Sequence, residues 1–426
     1  MYIVLGLGIS SKAVVKKLKE LNKDYLIVLK KEEIKKYNND YDNIISYEMI
    51  KYLDLSKVKY VIKSPGIPQY DKYIRYLKSK HVKIINEIEF TYLLTKKLGK
   101  YIAISGSVGK SSTVSLLYNL IKSKNDNVIL AGNIGDPLIN YLDKINKDTI
   151  IILEVSSFQL DDFQNIRFHY ALLLNIYDNH LDIYKKKEDY YKSKFKLTNN
   201  QTKKDYFIVN LDDPITKKYL NNHCFKSILV DYKTGFSVSN NYLYYYRVKI
   251  LNLNDYNLLG KHNLDNLKAI ITILTILNIE IDENVIKRFK GLDYHLQEIK
   301  VNNLTIVNDS KSTCSSSLKA AIETYKDRTK ILLFGGYNKN LDFSFINDYR
   351  FKYVICFGEL SHQISKYVKY DIKFNTLKEA SNFAFKIANK QDVVLFSPGC
   401  ASFDEFENYK KRGEAFNRYL KDFYND

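Results

Sequence analysis

The chain has 426 residues, 45% of them apolar, with a formal net charge of +18, four cysteines, 37 tyrosines and no tryptophan. That length gives room for two or three domains with cores of their own, and the apolar share is that of an ordinary globular protein. Three classes are excluded: no apolar run reaches the roughly 18 residues of a membrane span, Cys224, Cys314, Cys356 and Cys400 form no zinc-type pair, and the lysines are scattered among asparagine and tyrosine with no nucleic-acid recognition motif.

The amino terminus opens directly on a strand pattern with no secretory h-region, so a cytoplasmic location is expected. Residues 2–8 form that strand and end in Gly6-Leu7-Gly8; a helix over 12–21 and a second strand over 25–29 follow, which is the opening of a nucleotide-binding βαβ unit. The dinucleotide fingerprint is incomplete. Ser11 stands where its third glycine belongs, and the second strand runs into Lys30 and Lys31 where an acid belongs. A nucleotide carrying only a diphosphate suits two lysines better, and a plain strand–helix turn explains the glycines equally well. Residues 58–63 predict another strand, closed by the rigid loop Ser64-Pro65-Gly66-Ile67-Pro68. A Rossmann-like first domain is expected over residues 1–97.

The next apolar run, 101–104, leads into Ser105-Gly106-Ser107-Val108-Gly109-Lys110-Ser111-Ser112-Thr113 and then a helical pattern. A glycine turn between strand and helix presents backbone N–H groups, helix-dipole charge and one lysine to a single anion, which is a phosphate cradle. Gly106 and Gly109 let the backbone approach, Lys110 reaches the terminal phosphates, and the Ser111 hydroxyl is placed for magnesium. The Gly-x-x-Gly-Lys-Ser spacing is shorter than the standard loop, so a glycine turn with a solvated lysine competes. Glu154 decides between them: it ends the buried-type strand 149–153, where an acid can hold the magnesium that bridges nucleotide phosphates.

Residues 128–130 lead into the turn Gly132-Asn133-Ile134-Gly135, and Ser156, Ser157 and Gln159 follow Glu154. The strand 170–174 delivers Asn175, Asp178, Asn179, His180 and Asp182 to the same sheet edge. Lys194 sits in a lysine-rich helical stretch whose spacing alone predicts a solvated face. Residues 242–250 read as one alternating, half-exposed strand. In the long helix that begins near Gly260, Asn263 and Asn266 share the first turn, positioned for a base or ribose or for capping. A central P-loop ATPase-like domain with a mostly parallel sheet is expected over 98–295. From residue 304 strand–helix alternation restarts, with strands at 305–307, 331–334, 354–357 and 393–396, each ending in a polar loop. This predicts a doubly wound, Rossmann-like third domain over 296–426, so the whole chain is an α/β protein of three domains.

With these motifs together, the chain resembles the Mur ligases of peptidoglycan synthesis along nearly its whole length. The likeness is carried by Gly132-Asn133-Ile134-Gly135, Glu154-Val155-Ser156-Ser157-Phe158-Gln159, His180-Leu181-Asp182 with Tyr190 and Lys194, Asn308-Asp309-Ser310-Lys311, and the stretch from Ser397-Pro398 to Asp404. The Asn-Asp-Ser-Lys run resembles the D-glutamate-adding branch in particular. The resemblance implies ATP and Mg²⁺ as cofactors and UDP-N-acetylmuramoyl-L-alanine and D-glutamate as substrates of a cytoplasmic monomer. It implies that residues from Gly106 through Ser112 hold ATP phosphates, with Lys110, His180 and Lys194 catalytic, and that Asn263, Asn266 and Asp309 hold the nucleoside. Ser111, Glu154, His180 and a carbamylated Lys194 would be the metal ligands. Ser10, Lys30 and Lys31 would face the UDP end, Ser156 and Gln159 the muramoyl part, and Thr313, Lys339, Ser402 and Phe403 the incoming amino acid, with Asn133, near the metal ligands, and Tyr409 as further substrate-binding positions. Three departures stand out: Asn179 for an aspartate, Val108 for a loop asparagine, and Tyr294-His295 for a His-Arg pair whose arginine would neutralise phosphate. They leave open a catalytically degraded nucleotide-binding regulator, and a sister or folate-type amide ligase is the other alternative.

Overall fold

The computed structural model describes residues 1–178, 184, 186–337, 341–363 and 368–425. The first sheet comprises β1 (Tyr2–Leu5), β2 (Tyr25–Leu29), β3 (Ile44–Ser46), β4 (Tyr60–Lys63) and β5 (Ile84–Ile85), in the all-parallel order β3-β2-β1-β4-β5. Helices α1 (Ile9–Glu20), α2 (Lys31–Tyr37) and α3 (Lys72–Ser79) connect these strands. Strands buried on both faces read as unbroken apolar runs, and β1 and β4 do so up to Leu5 and Ile62.

Helix α4 (Glu87–Leu94) belongs to two cores at once. Phe90 packs with the first sheet, whereas Ile88 and Tyr92 pack with the second. The second sheet holds β6 (Lys100–Ser105), β7 (Val128–Gly132), β8 (Ile150–Glu154), β9 (Tyr170–Leu173), β10 (Tyr206–Val209) and β11 (Ile228–Asp231), all parallel, in the order β11-β10-β9-β6-β8-β7. Its first strand, β6, lies inside, and later strands leave on both sides, so the topological switch falls at the carboxyl ends of β6, β8 and β9. Register levels those ends: Ile104 and Gly132 both pair with Glu154, and Ser105 pairs with Leu173. Helices α5 (Lys110–Lys122), α6 (Ser157–Asp162), α7 (Lys187–Phe195) and α8 (Pro214–Leu220) flank this sheet.

Residues 242–250 are not one strand. They split into β13 (Tyr242–Tyr245) and β14 (Val248–Asn252), which with β12 (Phe236–Ser239) form a small antiparallel sheet. Tyr246 and Arg247 take φ of 44° and 69° at the tip. Two successive left-handed residues make the tight hairpin turn that matches strand twist, normally marked by Asn-Gly; a Tyr-Arg pair gives no such warning. The 16-residue helix α9 (Lys261–Ile276) then packs Leu267, Ile270, Ile271 and Leu274 against Leu117, Leu120 and Ile121 of α5, and α10 (Glu283–Arg288) follows.

The third sheet has the order β15-β16-β20-β17-β18-β19, from β15 (Gln297–Val301), β16 (Leu304–Asn308), β17 (Lys330–Gly335), β18 (Tyr353–Phe357), β19 (Ile372–Phe374) and β20 (Val393–Gly399). Only β15 is antiparallel among these described strands. Helices α11 (Ser315–Thr324), α12 (Leu377–Ile387) and α13 (Tyr409–Asn425) cover its faces. Among the described residues no helix is long and apolar enough to cross a membrane.

Candidate active site at the phosphate loop

The loop from Gly106 to Gly109 joins β6 to α5 and is held by side chains from three other segments. Gly106 and Gly109 take φ of 156° and 85°, and a Cβ on Gly109 would lie 2.8 Å from the amide of Asn266. Asn266 Nδ2 donates to Asn263 Oδ1 at 3.3 Å, and Asn263 Nδ2 donates to the Leu259 carbonyl at 2.7 Å. The first turn of α9 therefore abuts the loop. On the other side, Asn175 Oδ1 accepts from the amides of Ser107 and Val108 at 3.0 Å each, and its Nδ2 donates to the Val108 carbonyl at 3.1 Å. The Ser107 hydroxyl pairs with Tyr190 Oη at 2.9 Å and donates to the Tyr177 carbonyl at 3.0 Å.

Lys110 Nζ donates to the carbonyls of Gly106 and Ser107 at 2.7 and 3.0 Å. Burial pulls this ammonium below its ordinary range, against the opposing pull of Glu154. Lys194 is not on a solvated face: it is 2% exposed, and its Nζ donates to the Gly106 carbonyl at 3.2 Å and to Ser105 Oγ at 3.3 Å. The lysine-rich helix α7 turns its Tyr190–Lys194 side inward, so spacing alone misread it. Burial first and neighbouring Lys110 second hold the Lys194 amine well below its usual pKa.

Glu154 is 2% exposed, and its Oε2 has no hydrogen-bond partner among the described residues. Its carbonyl accepts from the Asn133 amide at 2.9 Å. That approach requires Gly132, where φ is 105° and a Cβ would fall 2.2 Å from the Glu154 carbonyl oxygen. Ser107 through Ser112, Asn133, Glu154 and Asn263 line one cavity of about 270 Å³, and His295, Asp309, Lys311 and Thr313 close it from the third sheet. Sequence-nominated groups from both regions thus share one space. Among the described residues no three His, Cys, Asp or Glu side chains cluster for a metal. The donor set that remains among them, the buried Glu154 carboxylate with its free Oε2 and the Ser111 hydroxyl, fits a magnesium ion that takes its other ligands from phosphate and water.

On the third-sheet side, Asp309 Oδ2 accepts from Ser397 Oγ at 2.7 Å and Oδ1 from the Leu296 amide at 3.1 Å. Burial pushes its carboxyl up to about 7. Lys311 Nζ stands 4.1 Å from the centre of the Tyr409 ring, and burial lowers its pKa. His295 Nδ1 lies 2.9 Å from the Asp293 carbonyl, while Nε2 is buried without a partner among the described residues; burial, then Lys311, pulls the imidazole down to about 4. Val108 packs against the core of the third-sheet region, an apolar contact an asparagine would not make.

Other nominated residues lie elsewhere. Ser10 is in the first turn of α1, and Lys30 and Lys31 are exposed at the start of α2; Ser11, rather than Ser10, touches the Pro-Gly loop, through Ser64 Oγ at 2.6 Å. Ser156 and Gln159 cap α6 for one another, with the Ser156 amide 2.9 Å from Gln159 Oε1. Ser402 is buried and Phe403 is 67% exposed, and neither lines the cavity that holds Thr313. His180, Asn179 and Lys339 lie outside the described residues. Sequence reasoning brought Asn175 to the sheet edge without giving it a role, and it passed over Arg412. Arg412 is 1% exposed and ties Ser310 to the carbonyls of Cys400 and Ala401 at 3.0 and 3.1 Å. A polar amide at a strand tip was a usable signal for Asn175; an arginine inside a basic helix gave none.

A lysine-bearing phosphate loop facing a strand-end acid, beneath a third sheet, is the arrangement of an ATP-dependent ligase, and residues 104–274 match the Mur ligase middle domain. The chain belongs to the Mur ligase family, whose members form amide bonds at the expense of ATP. A UDP-N-acetylmuramoylalanine–D-glutamate ligase from Caldicellulosiruptor saccharolyticus is 30% identical, covering 99% of this chain and 98% of its own length. One from Francisella tularensis subsp. novicida is 34% identical over 88% of each chain. Among solved structures, the MurF ligase of Thermotoga maritima in complex with ADP superposes with a TM-score of 0.63 at 14% identity, covering 99% of this chain and 94% of its own. The UDP-N-acetylmuramate–alanine ligase MurC of the same organism gives 0.58 at 16% identity over 99% of each chain. These two likenesses concern the fold.

Proposed function

We propose that this chain adds D-glutamate to UDP-N-acetylmuramoyl-L-alanine in the cytoplasm, as a monomer, through an acyl phosphate. The carrying observation is the shared cavity: Lys110 and the buried carboxylate of Glu154, whose Oε2 is unpaired among the described residues, face Asp309, Lys311 and Thr313 across it. A carboxylate has no leaving group for an amine to displace. The alanyl carboxylate oxygen therefore attacks the γ-phosphorus, ADP departs, and the acyl phosphate that results loses inorganic phosphate when the glutamate amine attacks its carbonyl. Lys110 leaves the carbonyls of Gly106 and Ser107 to meet the phosphoryl oxygens, and the loop amides add fixed dipoles where charge develops. Mg²⁺, which Glu154 and Ser111 would hold, supplies charge neutralisation on the phosphates. Lys194, whose charged form burial disfavours, can in its amine form add carbon dioxide and release a proton to give a carbamate, a second carboxylate-like group beside the loop. Lys311 and Thr313 orient the acyl phosphate and the incoming amino acid, and bringing reactants together in one closed space is the main source of rate.

The test is phosphate release with ATP, UDP-N-acetylmuramoyl-L-alanine and a panel of D- and L-amino acids. Release with D-glutamate alone supports the reading. Release with another amino acid reassigns the chain to a sister ligase, and nucleotide binding without release makes it a regulator.

A further inference from the structure

Between the first and second sheets lies an ion pair with almost no access to water. Lys63 ends β4, and its Nζ is 3.0 Å from Asp162 Oδ2 at the end of α6, with side-chain exposures of 1% and 0%. The same ammonium donates to the carbonyl of Ile67 at 2.7 Å and lies 3.4 Å from that of Ser64. Gln69 Nε2 donates to the other oxygen, Asp162 Oδ1. One carboxylate of the second sheet thus gathers two side chains that bracket the Pro-Gly loop of the first, and the lysine laces that loop internally. Isolated charges are not left in dry interiors without return, and an apolar pair of similar volume serves stability as well or better. This pair does something packing would not: it fixes the loop's backbone at one angle to α6. Helix α6 starts at Ser157, three residues past Glu154, and Asn86 Nδ2 also reaches its Gln159 carbonyl at 3.3 Å. Loop, ion pair, helix and the Glu154 strand end form one continuous brace.

We propose that Lys63 and Asp162 are positioning residues: their ion pair sets the Pro-Gly loop at residues 64–68 against α6, so that the UDP-linked substrate reaches from the first sheet to the Glu154 edge in register. The inference rests on the function proposed above. It assigns neither residue contact with reacting atoms. Losing the pair frees the loop to sample other angles, which weakens capture of the UDP-linked substrate and leaves the nucleotide side of the cavity as it is.

Three variants decide it: Lys63→Met, Lys63→Arg, and the apolar double variant Lys63→Met with Asp162→Leu. Steady-state kinetics would vary UDP-N-acetylmuramoyl-L-alanine and ATP separately, alongside amide hydrogen exchange over residues 64–70, where the Ile67 amide donates to the Ser64 carbonyl at 3.1 Å. The expected result for Lys63→Met is a KM for the UDP-linked substrate raised about tenfold, kcat within about threefold, and KM for ATP unchanged. Lys63→Arg keeps the ion pair and stays near wild type. The double variant folds, yet retains the raised KM and faster loop exchange, because no donor serves the Ile67 carbonyl. Should Lys63→Met not fold, the double variant carries the measurement. An unchanged KM, a KM restored by the double variant, or an equal rise for ATP would overturn the proposal. If the wild-type chain does not turn over this substrate, the functional reading falls by itself, and unchanged exchange at residues 64–70 then sinks the brace independently.

Discussion

The two seams of this molecule are built differently. Between the first and second sheets, helix α4 serves both cores, and its acids are consumed internally: Glu87 accepts from the Ile139 amide at 2.6 Å, and Glu89 accepts from the amides of Gln164 and Asn165 at 2.6 Å each. The Lys63–Asp162 pair adds a third tie. Between the second and third sheets the main feature is a cavity, with Val108 as an apolar touch-point and lysines on both walls. One seam is solid and the other holds the chemistry. Reactants must enter and leave at the second seam, so it can carry few permanent bonds, and the first two sheets together make the rigid platform that it works against.

The largest effect comes from emptying the chemical seam of its central charge. Lys110→Ala should lower ADP release by about a thousandfold or more while leaving the thermal midpoint nearly unchanged, since among the described residues the lysine bonds only to two carbonyls of its own loop. Near-normal turnover in a coupled assay would remove the phosphate loop from the mechanism. Next is Arg412→Met, which strips donors from the carbonyls of Ser310, Cys400 and Ala401 inside the third-sheet wall. Burial already draws this guanidinium down to about 10. Removing it leaves several buried acceptors unpaired, a cost of about 3–5 kcal/mol by analogy with broken buried pairs. Denaturant unfolding should show that loss. A variant as stable as wild type would mean that the wall does not depend on this tie.

The solid seam is broken more gently, by pH. Burial pushes the Glu87 carboxyl up to about 7, above its unfolded value near 4.5. A carboxyl whose folded pKa is raised binds its proton more tightly when folded, so its contribution is full below about 4.5 and is lost as pH rises through 7. The swing amounts to about 3 kcal/mol at most. Glu87→Gln keeps an acceptor for the Ile139 amide and removes the proton, so its midpoint should vary less between pH 5 and 8 than that of wild type. Equal slopes would show that the seam is indifferent to this group.

How much of this was legible beforehand followed from where each constraint lies in the chain. The sheets were readable because apolar runs such as residues 101–104 and 393–396 are local, and so was the phosphate loop, whose glycines and lysine are contiguous. Glu154 was legible as an acid closing an apolar strand. The turn at Tyr246-Arg247 was not, because backbone twist alone imposes its left-handed φ. Nor was the burial of Lys194, since one lysine among many is singled out only by the Gly106 carbonyl and Ser105, some 90 residues away in sequence. Lys63 lay in plain sight at a strand end, but its partner Asp162 is in another sheet, and pairing across a domain seam leaves no periodicity to read.

The smallest expected effect also bears on the chemical seam. His295 reaches the cavity with an Nε2 that has no partner among the described residues and is held neutral, pulled down to about 4 by burial and by the neighbouring charge of Lys311. A neutral imidazole at that wall can donate one hydrogen bond to a phosphate but brings no charge, whereas a guanidinium there would bring both. His295→Arg should therefore lower the KM for ATP by about two- to fivefold with little change in kcat, because the added cation binds nucleotide alike in ground and transition states. Lys311 opposes the change, being a like charge on the same wall, and that repulsion is why the gain stays small. A rise in kcat with KM unchanged would instead place residue 295 against the transferring phosphoryl group, and the open seam would then be reaching further into the chemistry than its present geometry requires.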